Sequence, residues 1–340
     1  MASQDETAAM RRAIVLSRTS GVPLGPNPRV GAVLLGDDGV TIAEGYHRGA
    51  GSPHAEVDAL ARAGHTARGA TAVVTLEPCN HTGRTGPCAQ ALFEGGVRRV
   101  VYAQADDTPR ACGGAASMRA AGIDVEGGVL ADDAAETNHV WSFAVTQRRP
   151  FVTWKFAATL DGRSSAADGT SKWITGPEAR ADVHERRRQC DAVLVGTGTV
   201  LTDNPRLTVR DADGVPAPAH RQPLRAVMGL RPAPAQANVL DGTGPSTFLR
   251  TRDPSEALAT LYNRDCQHVW LEGGHTLAAA FLVAGLVDEV VAYLAPALLG
   301  AGSAAVADLG ITTIVDALRF ELDEVARLGG DLRLVMKGIR

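Results

Sequence analysis

The sequence predicts two successive α/β domains, and three observations carry that reading. Short apolar stretches alternate with amphipathic ones over residues 1–146, the pattern of strands and helices layered on one another. The polar run Thr146-Gln147-Arg148-Arg149-Pro150 interrupts it, and an apolar stretch restarts the alternation at Phe151. With 340 residues, 45% of them hydrophobic, the chain has material for two cores, expected over 1–146 and 147–340.

In the first domain, residues 5–19 read as a helix and 30–35 as an apolar strand. Asp38-Gly39 is a turn, and 40–46 returns as a second strand. Ser52-Pro53, a capping residue followed by proline, predicts a helix that carries His54 and Glu56 in its first turn and ends near Gly64. A strand at 71–76, a helix opened by Gly86-Pro87, a strand at 97–103, a helix to about 121 and a short strand at 123–125 complete this domain. The second domain reads as strand 151–157, helix 177–189, strands 192–196, 224–228 and 247–250, then helix 254–263. Strand 268–271, helix 275–284, strand 287–293 and a closing pair of strands after Phe320 follow. Gly196-Thr197-Gly198 is followed by Leu201, so the dinucleotide glycine fingerprint is absent and a tight turn is expected there. Stretches 211–223 and 231–246, rich in Pro, Gly and Ala, read as surface loops.

The net charge of −4 and the lack of a long basic stretch argue against nucleic acid as the main partner; Arg186-Arg187-Arg188 is the densest run. No run reaches the ~18 apolar residues of a membrane span, and the N-terminus has no apolar core of signal-peptide length, so a cytoplasmic protein without a membrane partner is expected. Five cysteines, an odd number in a reducing compartment, point to metal binding or free thiols rather than disulfides.

Two of those cysteines fall in Leu76–Cys88, LEPCNHTGRTGPC. A catalytic zinc takes about three nitrogen or sulfur ligands and keeps one position for water. His54, Cys79 and Cys88 fit that count, two thiolates balance the Zn²⁺ charge, and the metal lowers the pKa of bound water toward ~7. Glu56, two residues after His54, is placed to move a proton between that water and a leaving group. His-x-Glu followed by Pro-Cys…Cys is the zinc-deaminase pattern, here with eight residues between the cysteines instead of two. A closed structural zinc with His81 as fourth ligand is the alternative.

PNPRVG (26–31), GYH (45–47), PHAEVDAL (53–60), TLEPCNHTGRTGPC (75–88) and RAAGIDV (119–125) resemble the deaminase half of the bifunctional riboflavin-biosynthesis deaminase/reductase family. The longer cysteine spacing is that family's own form. The resemblance implies a cytidine-deaminase-like three-layer domain in which Asn27, His47 and Arg84 contact the pyrimidine or its phosphoribosyl arm. KFAATLDGR (155–163), SKWITG (171–176), GTGTVLTDNPRLTVR (196–210), EGGHTLA (272–278) and AGLVDEVVAYLAPALLG (284–300) are similar to its reductase half, so the likeness runs from about residue 8 to 338. That half implies a dihydrofolate-reductase-like domain using NADPH. By match, Ala157, Trp173, Thr199, Asp203, Gly274, His275, Thr276, Leu277, Ala278, Ala279 and Ala280 line the dinucleotide. Ser171, Arg187, Leu207, Arg210 and Glu272 face the sugar-phosphate substrate, the two arginines suiting phosphate forks. Lys155 and Asp203 are the candidates near the transferred hydride. His275 stands where the family usually has proline, Met228-Gly229-Leu230 replaces a stretch that often carries Asp-Ser, and Asp107-Thr108 replaces Pro-Asn. Asn80 and Thr82 vary the zinc loop.

The resemblance implies two steps on small phosphorylated pyrimidines: zinc-dependent deamination of the diaminopyrimidinone ribosyl phosphate, then NADPH reduction of its ribosyl side chain. Self-association fits the family. Rival readings are a nucleoside or tRNA deaminase with an accessory C-terminal half, a zinc-stabilised regulatory module, and the same fold with one half inactive.

Overall fold

The computed structural model describes the chain except residues 23–24, 82–85, 107, 109–111, 212 and 339–340. It divides into two compact units, Met1–Gln147 and Arg148–Arg340.

Unit 1 carries a five-stranded sheet in the order β2-β1-β3-β4-β5, formed by β1 (Gly31–Leu35), β2 (Thr41–Tyr46), β3 (Thr71–Leu76), β4 (Arg99–Gln104) and β5 (Asp124–Gly127). β1 runs antiparallel to β2 and β3, while β3, β4 and β5 are parallel. Alternate side chains of each strand serve two separate cores. Val33, Leu35 and Val73 pack with Met10 and Ile14 of α1 (Gln4–Ser17). Ala32, Leu34 and Val74 pack with Ala55 and Ala59 of α2 (Ala55–Ala63), with Leu92 of α3 (Cys88–Glu94) and with Met118 of α4 (Gly114–Ala120). The result is three layers, as expected. A side chain at Gly45 would meet the Ala55 carbonyl at 2.3 Å, so this glycine lets the start of α2 lie directly on β2.

Three local readings are corrected. The helix after Ser52-Pro53 begins at Ala55, with His54 as its N-cap in extended backbone and no side-chain cap, so His54 stands outside the first turn. Extended backbone there lets the imidazole reach the two sulfurs described below. The sequence predicts no helix after residue 125, yet α5 (Ala131–Thr137) and α6 (His139–Gln147) close the unit. α6 extends into the polar stretch at 146–147 because its inner face, Val140, Trp141 and Ala144, is buried.

Unit 2 is an eight-stranded sheet in the order β12-β13-β11-β6-β10-β7-β8-β9. Its strands are β6 (Phe151–Thr159), β7 (Ala192–Gly196), β8 (Leu224–Met228), β9 (Ser246–Leu249), β10 (His268–Leu271), β11 (Glu289–Ala295), β12 (Phe320–Leu328) and β13 (Asp331–Gly338). Strands β11, β6, β10, β7, β8 and β9 are parallel in succession; β13 pairs antiparallel with β11 and β12 antiparallel with β13. α7 (Pro177–Arg188), α9 (Pro254–Tyr262) and α10 (His275–Val283) match the predicted helices. The expected turn at Gly196-Thr197-Gly198 is instead the start of a helix, α8 (Thr197–Asp203). Val200 of that helix is buried in the core beside Val195, and this packing outweighs the poor helix propensity of its Gly and Thr residues. Among the described residues no helix is long and apolar enough to cross a membrane.

Candidate functional site

In unit 1, His54, Cys79 and Cys88 converge. His54 Nδ1 lies 3.1 Å from Cys88 Sγ and 3.6 Å from Cys79 Sγ, and all three donor atoms fall within 4.8 Å of one another. His81, the expected fourth ligand of a closed site, is not in this group. The loop after β3 and the start of α3 bring the sulfurs together: the Cys88 N–H donates to Cys79 Sγ at 3.4 Å, and the Ala89 N–H donates to the Cys79 carbonyl at 3.2 Å. The Cys88 thiol hydrogen-bonded to it holds the Cys79 thiol down at about 4; burial opposes this and His54 assists. That same hydrogen bond, with burial, pushes Cys88 up. Two sulfurs this close cannot both carry charge until a cation sits between them, and one imidazole with two thiolates is a donor set that suits zinc.

Glu56 is buried at the start of α2, and burial pushes its carboxyl up, opposed by its own backbone N–H and by His54. A carboxyl held where protonation is cheap is a group able to carry a proton between reacting atoms. His47 is also buried, its ring edge-on to that of His54 at 5.3 Å between centroids. Its Nδ1 lies 2.9 Å from the Pro53 carbonyl, which can only accept, so Nδ1 carries the proton. Nε2 therefore accepts from Asn27 Nδ2 at 3.0 Å, which turns the Asn27 amide oxygen the other way. Arg84 lies outside the described residues.

Sequence reasoning missed the residues that hold these groups in place. The buried Glu77 carboxylate accepts from the N–H of Ala115 at 2.8 Å and of Asp106 at 3.3 Å, pinning the strand end before Cys79 to α4. Gly114 abuts the same loop, since a Cβ there would stand 1.7 Å from the Pro78 carbonyl. Asn138 binds the Arg29 backbone through both its amide oxygen and its amide nitrogen, each at 2.9 Å, fixing the segment that carries Asn27. Only the Glu just before Pro78-Cys79 offered a sequence signal, a carboxylate inside an apolar strand end.

In unit 2 Lys155, Arg187, Arg210 and Glu272 lie near one another about the end of β10. Trp154 is in register with Leu271, so Lys155 and Glu272 occupy the next positions on neighbouring strands. Arg187 of α7 grips Glu272 twice and donates to the Thr208 carbonyl at 3.0 Å. Its paired face is therefore turned to Glu272. Burial alone would raise the Glu272 carboxyl, but Arg187, Lys155 and the Trp270 N–H hold it down at about 2. Burial lowers the Lys155 ammonium, with Glu272 opposing. Arg210 is less constrained, donating from Nε to Thr208 Oγ1 at 3.2 Å. The Leu207 side chain lies in the core with φ +57°, so only its backbone is available to a ligand.

The turns after β7, β8 and β10 pack closely through their glycines. A Cβ at Gly273 would lie 3.0 Å from the Gly196 nitrogen, and one at Gly229 would lie 2.1 Å from Thr197 Oγ1. Gly274, at φ +49°, caps α10, whose first residues His275–Ala280 follow at once. Thr199 Oγ1 would be 3.3 Å from a Cβ at Gly274. Side-chain-free backbone at the carboxyl ends of parallel strands is the cradle a dinucleotide needs. Ala157 lies on β6, Asp203 is exposed at the end of α8, and Ser171 precedes the Trp173 loop. Trp173 is 70% exposed, with the Arg180 guanidinium 4.6 Å from the centre of its ring. His184, absent from the sequence expectations, stands by Arg187, Arg210 and Glu272, its pKa drawn down to about 4 by burial and by Arg187.

Comparison with known proteins bears on both units. The family model described as the cytidine and deoxycytidylate deaminase zinc-binding region matches residues 3–104, and the one described as the RibD C-terminal domain matches 150–334. The riboflavin biosynthesis protein RibD of Mycobacterium tuberculosis is 50% identical over 310 residues, covering 91% of this chain and 90% of that protein. A solved structure of Acinetobacter baumannii RibD superposes with a TM-score of 0.90 at 38% identity, over 99% of each chain. A Thermotoga maritima diaminohydroxyphosphoribosylaminopyrimidine deaminase/5-amino-6-(5-phosphoribosylamino)uracil reductase superposes with a TM-score of 0.88 at 33% identity, over 98% of this chain and 99% of that one.

Proposed function

This chain belongs to the RibD family of riboflavin biosynthesis proteins, and from that membership we propose how its residues divide two successive reactions. Residues 1–146 deaminate the diaminohydroxyphosphoribosylaminopyrimidine. Residues 147–340 then reduce the resulting 5-amino-6-(5-phosphoribosylamino)uracil with NADPH, giving the ribityl product. The observation that carries the first assignment is the convergence of His54, Cys79 and Cys88 beside a buried Glu56. The reading of the C-terminal half as a mere accessory is not favoured, because the RibD reductase domain matches 150–334.

When bound, zinc supplies an activated water and electrostatic stabilisation. His54, Cys79 and Cys88 would hold the metal, and the two cysteines would supply its neutralising charge. Glu56 takes a proton from the attacking water and delivers it to the departing ammonia. Asn27 presents its amide oxygen to an N–H of the substrate, and His47 holds that amide in place; Arg84 meets the phosphoribosyl arm. When bound in the second unit, NADPH would supply a hydride to the first sugar carbon, whose bond to the ring oxygen opens as that oxygen takes a proton. The glycines of the three turns, with Ala157, Trp173, Thr199, Asp203 and the start of α10, seat the dinucleotide. Lys155 and Asp203 flank the transfer, while Ser171, Arg187, Leu207, Arg210 and Glu272 surround the sugar phosphate. Arg187 acts mainly by fixing Glu272, which leaves Arg210 as the freer phosphate ligand.

The free thiols of Cys79 and Cys88 suit a reducing, cytoplasmic setting. Self-association is part of the same reading, supported by the outer strand β12, which exposes Leu322 and Val325 on an open sheet edge. Assaying the two half-reactions separately on the purified full-length chain tests the proposal: ammonia release without NADPH, and NADPH oxidation only with the deaminated intermediate, are expected. Failure of either reaction removes that half.

A further inference from the structure

His184 lies on α7 three residues before Arg187, so the two side chains share one helix face. Its Nδ1 is shielded from solvent and has no hydrogen-bond partner among the described residues, an uncommon state for a buried polar atom. The groups that act on the ring come from three segments. Arg187 is on its own helix, Arg210 on the segment after α8, and Glu272 at the end of β10, with the Thr208 carbonyl beside them. Thr208 ties the two arginines together, its carbonyl accepting from Arg187 and its hydroxyl from Arg210. The other charged groups near it on α7 are engaged elsewhere: Arg180 on the Trp173 ring, Asp182 with Arg186 and Arg333, and Arg188 with Glu185. Glu272 is already occupied by Arg187 and is the single carboxylate among these facing groups. Burial and the two guanidiniums keep the imidazole neutral in the free protein.

We propose that His184 is a further substrate-binding residue of the reductase unit, taking up a proton from solvent as a phosphate dianion seats beside Arg210 and donating Nδ1–H to it. The arriving charge reverses the local field: two guanidiniums that repel an imidazolium are screened by a dianion that attracts one. No covalent bond beyond that N–H is made. The inference rests on the reading of this cluster as the phosphate end of the reductase site.

The test is the reductase half-reaction of the full chain at saturating NADPH, followed between about pH 5.5 and 8, where imidazole titration is visible. His184→Gln, His184→Arg and Arg210→Gln are compared with the unaltered protein. His184→Gln is expected to raise KM about tenfold with kcat changed less than about twofold, the size of one lost hydrogen bond to a charged group. His184→Arg restores KM and makes it less dependent on pH. Calorimetry of intermediate binding in two buffers of different ionisation enthalpy shows less proton uptake in His184→Gln. If KM is unchanged in His184→Gln but rises in Arg210→Gln, the role of His184 is overturned while the phosphate site stands. If neither variant moves KM, the phosphate reading itself fails. A joint fall of kcat, KM control and melting temperature, without rescue by arginine, marks His184 as structural and overturns the proposal.

Discussion

Arg187 and Glu272 face each other fork to fork, Nε to Oε1 at 2.5 Å and Nη2 to Oε2 at 2.6 Å, with both side chains largely out of solvent. One strand end and one helix are joined by that pair. Removing one partner leaves a buried charge alone, so Arg187→Ala is expected to destabilise unit 2 by about 3–5 kcal/mol. Arg187→Met combined with Glu272→Leu should cost less than the single change. Denaturant unfolding of the three proteins measures both.

The same pair sets a pH dependence. Because the folded Glu272 pKa is depressed from 4.5 to about 2, its stabilisation is fully present above the unfolded value. It is lost as pH falls from there through about 2. The stability difference between the protein and Glu272→Gln should therefore be constant near neutrality and shrink in acid. A difference that grew on acidification would contradict the sign.

Glu56→Ala is expected to slow deamination by ~10²–10⁴-fold, the range for a lost acid–base group. Metal content and NADPH-dependent reduction should persist. Undiminished ammonia release by this variant would remove Glu56 from the reaction.

Chelation, or Cys88→Ser, should abolish bound zinc and ammonia release together and leave reduction of the deaminated intermediate intact, because the ligands lie wholly within unit 1. Elemental analysis beside the two assays reads this. Ammonia release that survives complete metal loss is the contrary outcome.

Glu77→Ala leaves the buried Ala115 and Asp106 N–H groups without their carboxylate, at about 1–3 kcal/mol for each. A lower melting temperature for unit 1, with weaker zinc retention against a competing chelator, is expected. Unchanged retention would mean that the strand end before Cys79 is held by other contacts.

Much of this was readable in the order of residues. β7 stands where a continuous apolar run stops at glycine, because a strand buried on both faces needs no alternation. The two cysteines and His-x-Glu announced the metal chemistry, since few other uses need those types so spaced. Other features had no local signal. α8 forms from residues of low helix propensity, and α6 runs on through a polar stretch, because each has a buried face to satisfy. His54 leaves the helix it was expected to join because its ring is needed elsewhere.

The linear sequence by itself determined the two α/β domains and the donor types for a metal, since composition and spacing are local properties, and its motifs carried the resemblance to the family. Only the tertiary structure decided that Arg187 is matched to Glu272, that Pro53 fixes the tautomer of His47, and that His184 stands among guanidiniums. The energy of a buried polar group depends on its neighbours in space, distant in sequence for Arg187 and Glu272, and no local pattern encodes them.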